Sequence, residues 1–330
     1  MPDSFSPDRY DGRMPYRRCG NSGVLLPEIS LGFWHNFGDV DDLDEGRVVM
    51  RTAFDEGLTH FDFANNYGPP YGSAERNCGQ ILKDDFAGHR DELFISTKAG
   101  HDMWPGPHGE WGSRKHLLAS LDQSLKRLQL DYVDVFYSHR PDPDTPLEET
   151  MGALATAVQS GRALYVGLSK YPLGMLKEAV AILKNLGIST LIYQPPCSIL
   201  DPWPIDNGIL PWLEENGIGC IAFSPLAQGL LTDKYVDGIP EDSRASGDSI
   251  FLTEAQVTQQ QPLLHQLKEV ASGQGLSLQH LALKWVGQQT GMTSTLIGAR
   301  TVAQLRDNLA SLKSPELNDE TLREIARITS

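Results

Sequence analysis

Cysteine is scarce in this chain. Cys19, Cys78, Cys197 and Cys220 are spread over 330 residues with no Cys-x-x-Cys pair. That spacing argues against a disulfide framework and offers no zinc site, and a reducing cytoplasm is the natural compartment. Long apolar runs are missing too. None approaches the ~18 residues of a membrane-spanning helix, and the polar stretch Met1–Arg18 does not read as a signal peptide. Positive charge is in short supply: 28 Lys and Arg against 43 Asp and Glu give −15. A chain of that sign is ill suited to tracking a phosphate backbone, so nucleic acid is disfavoured as a partner. A local basic pocket for a phosphorylated small molecule stays open. Low-complexity tracts and linkers are absent, and 40% hydrophobic with 22% charged residues is a globular composition.

What is present is a rhythm. After a polar lead (1–14), Pro15–Cys19 and Val24–Ile29 flank Gly20-Asn21-Ser22-Gly23 and read as a β-hairpin. Short apolar runs then alternate with amphipathic stretches. The runs are Ile29–Gly32, His60–Phe63, Leu93–Thr97, Tyr132–Tyr137, Ala163–Leu168, Leu191–Tyr193, Gly219–Phe223 and Thr295–Gly298. The intervening helices are expected at Glu45–Glu56, Ser73–Leu82, Arg114–Leu128, Pro146–Ser160, Leu173–Leu186, Asn207–Asn216 and Thr301–Leu312, with Leu278–Gln288 and Asp319–Ile328 near the end. Segments such as Val133–Tyr137 are mostly apolar rather than alternating, as in parallel strands covered on both faces. Eight β-then-α units predict an α/β fold, a (β/α)8 TIM barrel formed by 1–330 as one domain. A doubly wound open sheet with a second domain is the alternative. Two Gly-rich segments, 100–112 and 227–252, follow strands and are expected as long loops on the face where barrels keep their sites.

Two patterns mislead. Gly217-Ile218-Gly219-Cys220-Ile221-Ala222 fits a loose G-x-G-x-x-A dinucleotide pattern, but its glycines precede a strand instead of following one. They are better placed to close the preceding helix. His101, His108 and His116 near Asp102 fit no standard metal spacing, so no metal is expected.

The strand ends carry the chemistry. The second ends at Asp62, the third at Lys98, and His139 follows the fourth; Tyr67 lies in the loop Ala64-Asn65-Asn66-Tyr67-Gly68. In a barrel these surround one mouth. An acid, an ammonium, an imidazole and a phenol suit proton transfer to a carbonyl oxygen. A buried ammonium beside the phenol is expected to favour phenolate and lower its pKa, the carboxylate holding that ammonium charged. A buried Asp–Lys pair and a hydrogen-bonded core histidine are also ordinary structural features.

Those residues resemble a known family. Leu58-Thr59-His60-Phe61-Asp62-Phe63-Ala64-Asn65-Asn66-Tyr67-Gly68 is similar to the aldo-keto reductase signature, Ser96-Thr97-Lys98 to its lysine motif and Tyr137-Ser138-His139-Arg140-Pro141-Asp142 to its histidine motif. The hairpin matches the lid that plugs the barrel bottom in that family. Within it, Leu31–Gly38, Ser224-Pro225-Leu226-Ala227-Gln228-Gly229-Leu230-Leu231-Thr232-Asp233-Lys234-Tyr235 and Gly238–Arg244 resemble the branch of potassium-channel β-subunits and bacterial glyceraldehyde-3-phosphate reductases. The channel subunits carry asparagine where this chain has His139, which favours the reductase side.

The resemblance implies a cofactor, NADPH or NADP+. Ser169 and Gln194 would hold its carboxamide and Phe223 would stack on its nicotinamide, with Trp34 and Asp62 beside them. Lys170 stands where many members have asparagine. Ser224, Pro225, Leu226, Gln228, Gly229 and Arg244 fall in the cofactor motifs, and Lys234 and Arg300 would contact phosphates. Gly298 leads into the last βα turn, where Thr301 is a fair N-cap and a helix start is an anion site. Gln304, Asp307 and Asn308 share one helix face and would meet the adenosine end. The substrate pocket is expected at Trp34, Tyr67, His139 and Arg140, and the small-molecule substrate is a small aldehyde such as glyceraldehyde 3-phosphate or methylglyoxal. The branch also implies a homo-oligomer of four or eight copies. Two other functions are carried alongside: a nucleotide-binding scaffold of the channel-subunit type, and the same chemistry run as alcohol oxidation.

Overall fold

The computed structural model describes residues 4–240, 243–246 and 252–329. Strands β1 (Tyr16–Arg18) and β2 (Leu25–Pro27) pair antiparallel as the hairpin. Eight further strands form a closed parallel barrel in chain order: β3 (Ile29–Gly32), β4 (His60–Asp62), β5 (Phe94–Ala99), β6 (Val133–Ser138), β7 (Ala163–Ser169), β8 (Thr190–Gln194), β9 (Gly219–Ala222) and β10 (Met292–Ile297), which returns to β3. The helices between them are α1 (Leu43–Asp55), α2 (Ser73–Asp85), α3 (Arg114–Leu128), α4 (Leu147–Gln159), α5 (Leu173–Asn185), the short α6 (Trp203–Asp206) and α7 (Ile209–Glu215). Four more complete the set: α8 (Glu254–Gly273), α9 (Leu278–Gly287), α10 (Val302–Ala310) and α11 (Asp319–Thr329). The (β/α)8 expectation holds, and the open-sheet alternative is excluded by closure of β10 on β3.

The barrel interior near the hairpin is apolar. Leu26 is fully buried with Val135, Tyr137, Ile192 and Ile221, and the Asn21 amide donates to Gly217 O at 2.9 Å. The hairpin thereby stops the N-terminal end of the barrel, and the strand C-termini are left to build a site. Gly217 has φ +66° just past α7, so it ends a helix, as its place before β9 implied.

Three differences from the sequence reading have physical causes. The polar lead is not merely solvated: the Phe5 ring is buried 4.8 Å from both Phe54 and Phe86. The segment expected as one loop from Ala227 contains one-turn helices at Ala227–Gly229, Asp233–Tyr235 and Arg244–Ser246. Helix α8 was not expected at all. Its first half is rich in Gln and carries Pro262, which hides a sparse apolar stripe of Val257, Leu264, Leu267 and Ala271. A capping box at Thr253 and Gln256 starts it. Among the described residues no helix is long and apolar enough to cross a membrane.

Candidate active site

Strand β4 is buried along its whole length and delivers Asp62 to the barrel mouth. Lys98, fully buried on neighbouring β5, ion-pairs with Asp62 through Nζ. The same ammonium donates to Phe63 O at 2.8 Å and to Tyr67 Oη at 3.4 Å, which accounts for its three protons. Asp62 accepts further bonds from Ser96 Oγ at 2.5 Å and Gln194 Nε2 at 3.3 Å. The loop carrying Tyr67 is tied at both ends. The Asn65 amide donates to Lys98 O at 2.9 Å, and the Gly72 amide to Tyr67 O at 3.0 Å. Beneath it, fully buried Glu75 on α2 accepts from Thr97 Oγ1 at 2.5 Å and from Arg127 Nε at 2.8 Å, locking α2 against β5 and α3. Sequence reasoning missed Glu75, because a glutamate in a helix's first turn normally reads as a solvated end charge.

The pKa expectation for Tyr67 is corrected here. Burial, and then the Asp62 charge, push the phenol well above its ordinary value. The Lys98 ammonium is already neutralised by Asp62, so its pull on the phenol does not offset the loss of water. Burial also lowers the Lys98 pKa, opposed by Asp62. Tyr67 is therefore a phenol that holds its proton at neutral pH. Lys98 donates to its oxygen, and that proton has no acceptor among the described residues.

His139 is buried across from Tyr67, with ring centroids 6.0 Å apart. Burial and then the positive charges of Lys170 and Lys98 drive its pKa well below the usual histidine value, so it is neutral. Its Nδ1 is buried with no partner among the described residues, as are the amide atoms of Asn65. His101 packs edge-on against His139 at 4.5 Å. From spacing it reads only as part of a possible metal group, and its contact with the imidazole is not visible there.

Arg140 does not reach into the mouth as a free cation. Its guanidinium donates from Nε to Gly100 O at 3.0 Å, pairs with Glu110 and stacks 3.8 Å from the Trp111 ring centre. It pins the 100–112 loop. Trp104 packs that loop internally, 4.9 Å from His116.

Of the residues expected on the cofactor side, Ser169 and Gln194 end the neighbouring strands β7 and β8. Ser169 Oγ donates to Gln194 O at 2.8 Å, and the Gln194 side chain is tied to Asp62, so the three form one unit. Phe223 lies one residue past β9, half-buried and fixed by backbone bonds to Pro195 O and from Cys197 N. Ser224 (φ 55°), Ala227 (φ 45°) and Gln228 (φ 61°) occupy left-handed backbone. Three such residues in one loop concentrate backbone strain just past β9. Gln228 Nε2 donates to Ser224 Oγ at 3.3 Å. Pro225 is buried and Leu226 half-buried within that loop, Gly229 follows at φ 97°, and Lys234 is exposed. The side chain of Arg244 lies outside the described residues.

At α10, Thr301 caps the helix by accepting from Gln304 N at 3.2 Å. Gln304 Oε1 in turn accepts from Arg300 N at 2.9 Å, leaving the exposed Arg300 side chain at the helix start. Asp307 and Asn308 are bridged by Gln279 Nε2 at 2.9 Å to each. Gly298 is exposed, and Trp34 is half-buried with its ring 4.2 Å from His35.

Comparison with known proteins agrees with this geometry. Residues 28–330 match the model of the aldo/keto reductase family. The L-glyceraldehyde 3-phosphate reductase of Escherichia coli (strain K12) is 53% identical over 328 residues, 97% of this chain and 93% of that protein. A probable voltage-gated potassium channel subunit beta of Arabidopsis thaliana is 33% identical over 305 residues, 91% of each chain. A crystal structure of a thermostable aldo-keto reductase with the inhibitor epalrestat superposes with a TM-score of 0.75 at 29% identity, covering 96% of this chain and all of that one. A closed barrel with Asp62, Tyr67, Lys98 and His139 at one mouth, matched by the family along nearly its whole length, leaves one assignment: the chain belongs to the aldo/keto reductase family.

Proposed function

We propose that the protein is an NADPH-dependent reductase of small aldehydes, of the glyceraldehyde 3-phosphate or methylglyoxal type. The carrying observation is Tyr67: a phenol kept protonated by burial, with its oxygen held by Lys98 and its proton uncommitted. The dinucleotide, when bound, supplies the hydride. The residues present fit it: a strained clamp at 224–228, an aromatic platform at Phe223, a preset Ser169–Gln194 pair and a helix start with Arg300.

The chain's own groups do the rest. As the carbonyl oxygen gains negative charge, Tyr67 gives it a proton, and Lys98 stabilises the phenolate left behind. Asp62 keeps Lys98 charged and aimed. His139, neutral, offers a hydrogen bond to the same oxygen. With its pKa raised, the phenol is protonated at neutral pH, so the proton that reduction consumes is already in place. The intact set of four argues against a purely regulatory role of the channel-subunit kind.

Tyr67→Phe tests the reading. NADPH oxidation with glyceraldehyde, glyceraldehyde 3-phosphate and methylglyoxal should fall by ~10²–10⁴-fold, while NADPH still quenches tryptophan fluorescence with its wild-type dissociation constant. Wild-type turnover in Tyr67→Phe would refute the mechanism.

A further inference from the structure

One cation beside His139 has no counter-charge among the described residues. Lys98 is paired with Asp62, and Arg140 with Glu110. Lys170, directly after β7, has no hydrogen-bond or ion-pair partner among the described residues, and its Nζ stands 5.5 Å over the Phe223 ring centre. Its backbone sits at φ 63°, a conformation that lysine does not favour over other side chains and that the fold imposes. The ammonium stands near His139 and His101: after burial, its charge is the next cause that lowers the pKa of both. Burial, with Lys98 and Arg140 adding to it, brings its pKa down to about 8, so it remains mostly charged at neutral pH.

An unpaired ammonium at a mouth that already neutralises its other charges is complementary to an anion. In a chain of net charge −15, a ligand anion is otherwise repelled. The cofactor's phosphates are expected at Lys234 and Arg300, on the 224–235 loop and at the start of α10. The groups near Lys170 are instead His139 and Phe223, where a substrate carbonyl and a nicotinamide ring would meet.

We propose that Lys170 is the substrate's anion receptor, so that this reductase selects aldehydes carrying a phosphate or carboxylate and holds that group on the Lys170 ammonium while the carbonyl meets Tyr67 and His139. The proposal rests on the reductase reading and names its substrate class.

The test compares wild type, Lys170→Met and Lys170→Arg on glyceraldehyde, glyceraldehyde 3-phosphate and succinic semialdehyde with saturating NADPH. Met and Arg meet the same backbone requirement as Lys, so folding is not the variable. In Lys170→Met, kcat/KM for the anionic aldehydes should fall by about 10- to 150-fold, the span of a charged hydrogen bond. The loss should lie in KM and clearly exceed any loss on neutral glyceraldehyde, and Lys170→Arg should partly restore it. The two anionic arms show whether phosphate or carboxylate is the better fit. Equal loss on all three aldehydes, or a matching loss of NADPH affinity, would make Lys170 a cofactor residue and overturn the proposal. Should wild type reduce none of them, the reductase reading itself falls. Calorimetric binding of inorganic phosphate to the NADP+-loaded protein then decides the receptor: binding lost in Lys170→Met upholds it, and binding indifferent to Lys170→Met refutes it.

Discussion

Two rungs of the same strand make different use of buried polar side chains. His60 and Asp62 stand two residues apart on β4 and are both fully buried. Around His60 every polar atom is matched: Nδ1 lies 2.9 Å from Ser30 Oγ, Nε2 lies 3.1 Å from Ser96 Oγ, and Ser30 Oγ lies 2.7 Å from Ser294 Oγ. The directions follow from one fact. Asp62 only accepts, so Ser96 donates to it; His60 Nε2–H then donates to Ser96, and His60 Nδ1 accepts from Ser30. The chain Ser294–Ser30–His60–Ser96 ends on Asp62 with no spare donor. One rung higher, Tyr67 keeps a proton without a taker, and Asn65 and His139 have unmatched polar atoms. A closed network orders its neighbours. An open one of this kind is equipped to engage a ligand.

Removing a member of each rung should therefore break different things. The largest effect is expected at Lys98. Lys98→Met leaves Asp62 a buried, unpaired carboxylate, which costs about 3–5 kcal/mol of stability. It also removes the donor that stabilises the phenolate, so reduction should drop by about 10²-fold. The phenol should titrate higher still, and the pH–rate profile should change shape accordingly. An unchanged profile would show that Lys98 does not act through Tyr67.

A smaller effect is expected at the adenosine end. Arg300→Ala should weaken NADPH by about 10- to 150-fold and barely alter NADH, read as paired dissociation constants from tryptophan quenching. The exposed guanidinium at the start of α10 and the helix N-terminal field both favour a 2′-phosphate there. Equal losses for both cofactors would assign Arg300 another role.

The smallest effect on chemistry is expected at His60. Burial holds its pKa down at about 4. Above the unfolded value of ~6.5 both states are neutral and stability is flat. As pH falls from there toward 4, the unfolded chain binds a proton that the folded one refuses, and stability is lost. His101, also near 4, titrates in the same window. His60→Ala should lower stability by about 2–4 kcal/mol through a cavity and an unmatched hydroxyl. Its denaturation curves should lose one proton's worth of acid sensitivity in that window, while turnover of the folded protein stays near wild type. A full acid sensitivity in His60→Ala would place the buried neutral histidine elsewhere.

The difference between the rungs also explains what the sequence made legible. Period and strand ends located the barrel, and Asp62, Lys98, Tyr67 and His139 stood out because their types combine into one reaction. His60 lies in the same motif and gives no such signal, since a buried histidine among serines has no chemistry of its own. Glu75 and Glu110 become meaningful only once Arg127 and Arg140 are seen across the fold. The charge on Lys170 could be read from sequence, but the absence of a partner is a property of packing. The Tyr67 pKa was misjudged for the same reason: spacing places Lys98 nearby, but gives neither its neutralisation by Asp62 nor the depth of burial.

The most direct test sets the two rungs side by side. Single-turnover loss of NADPH absorbance with a short aldehyde, and the thermal midpoint, would be measured on Tyr67→Phe and His60→Ala with NADPH bound beforehand. The account predicts hydride transfer at least ~10²-fold slower in Tyr67→Phe with the midpoint unchanged, and near wild-type transfer in His60→Ala with the midpoint lowered. Wild-type transfer in Tyr67→Phe, or rates in both variants that merely follow their lost stability, would contradict it.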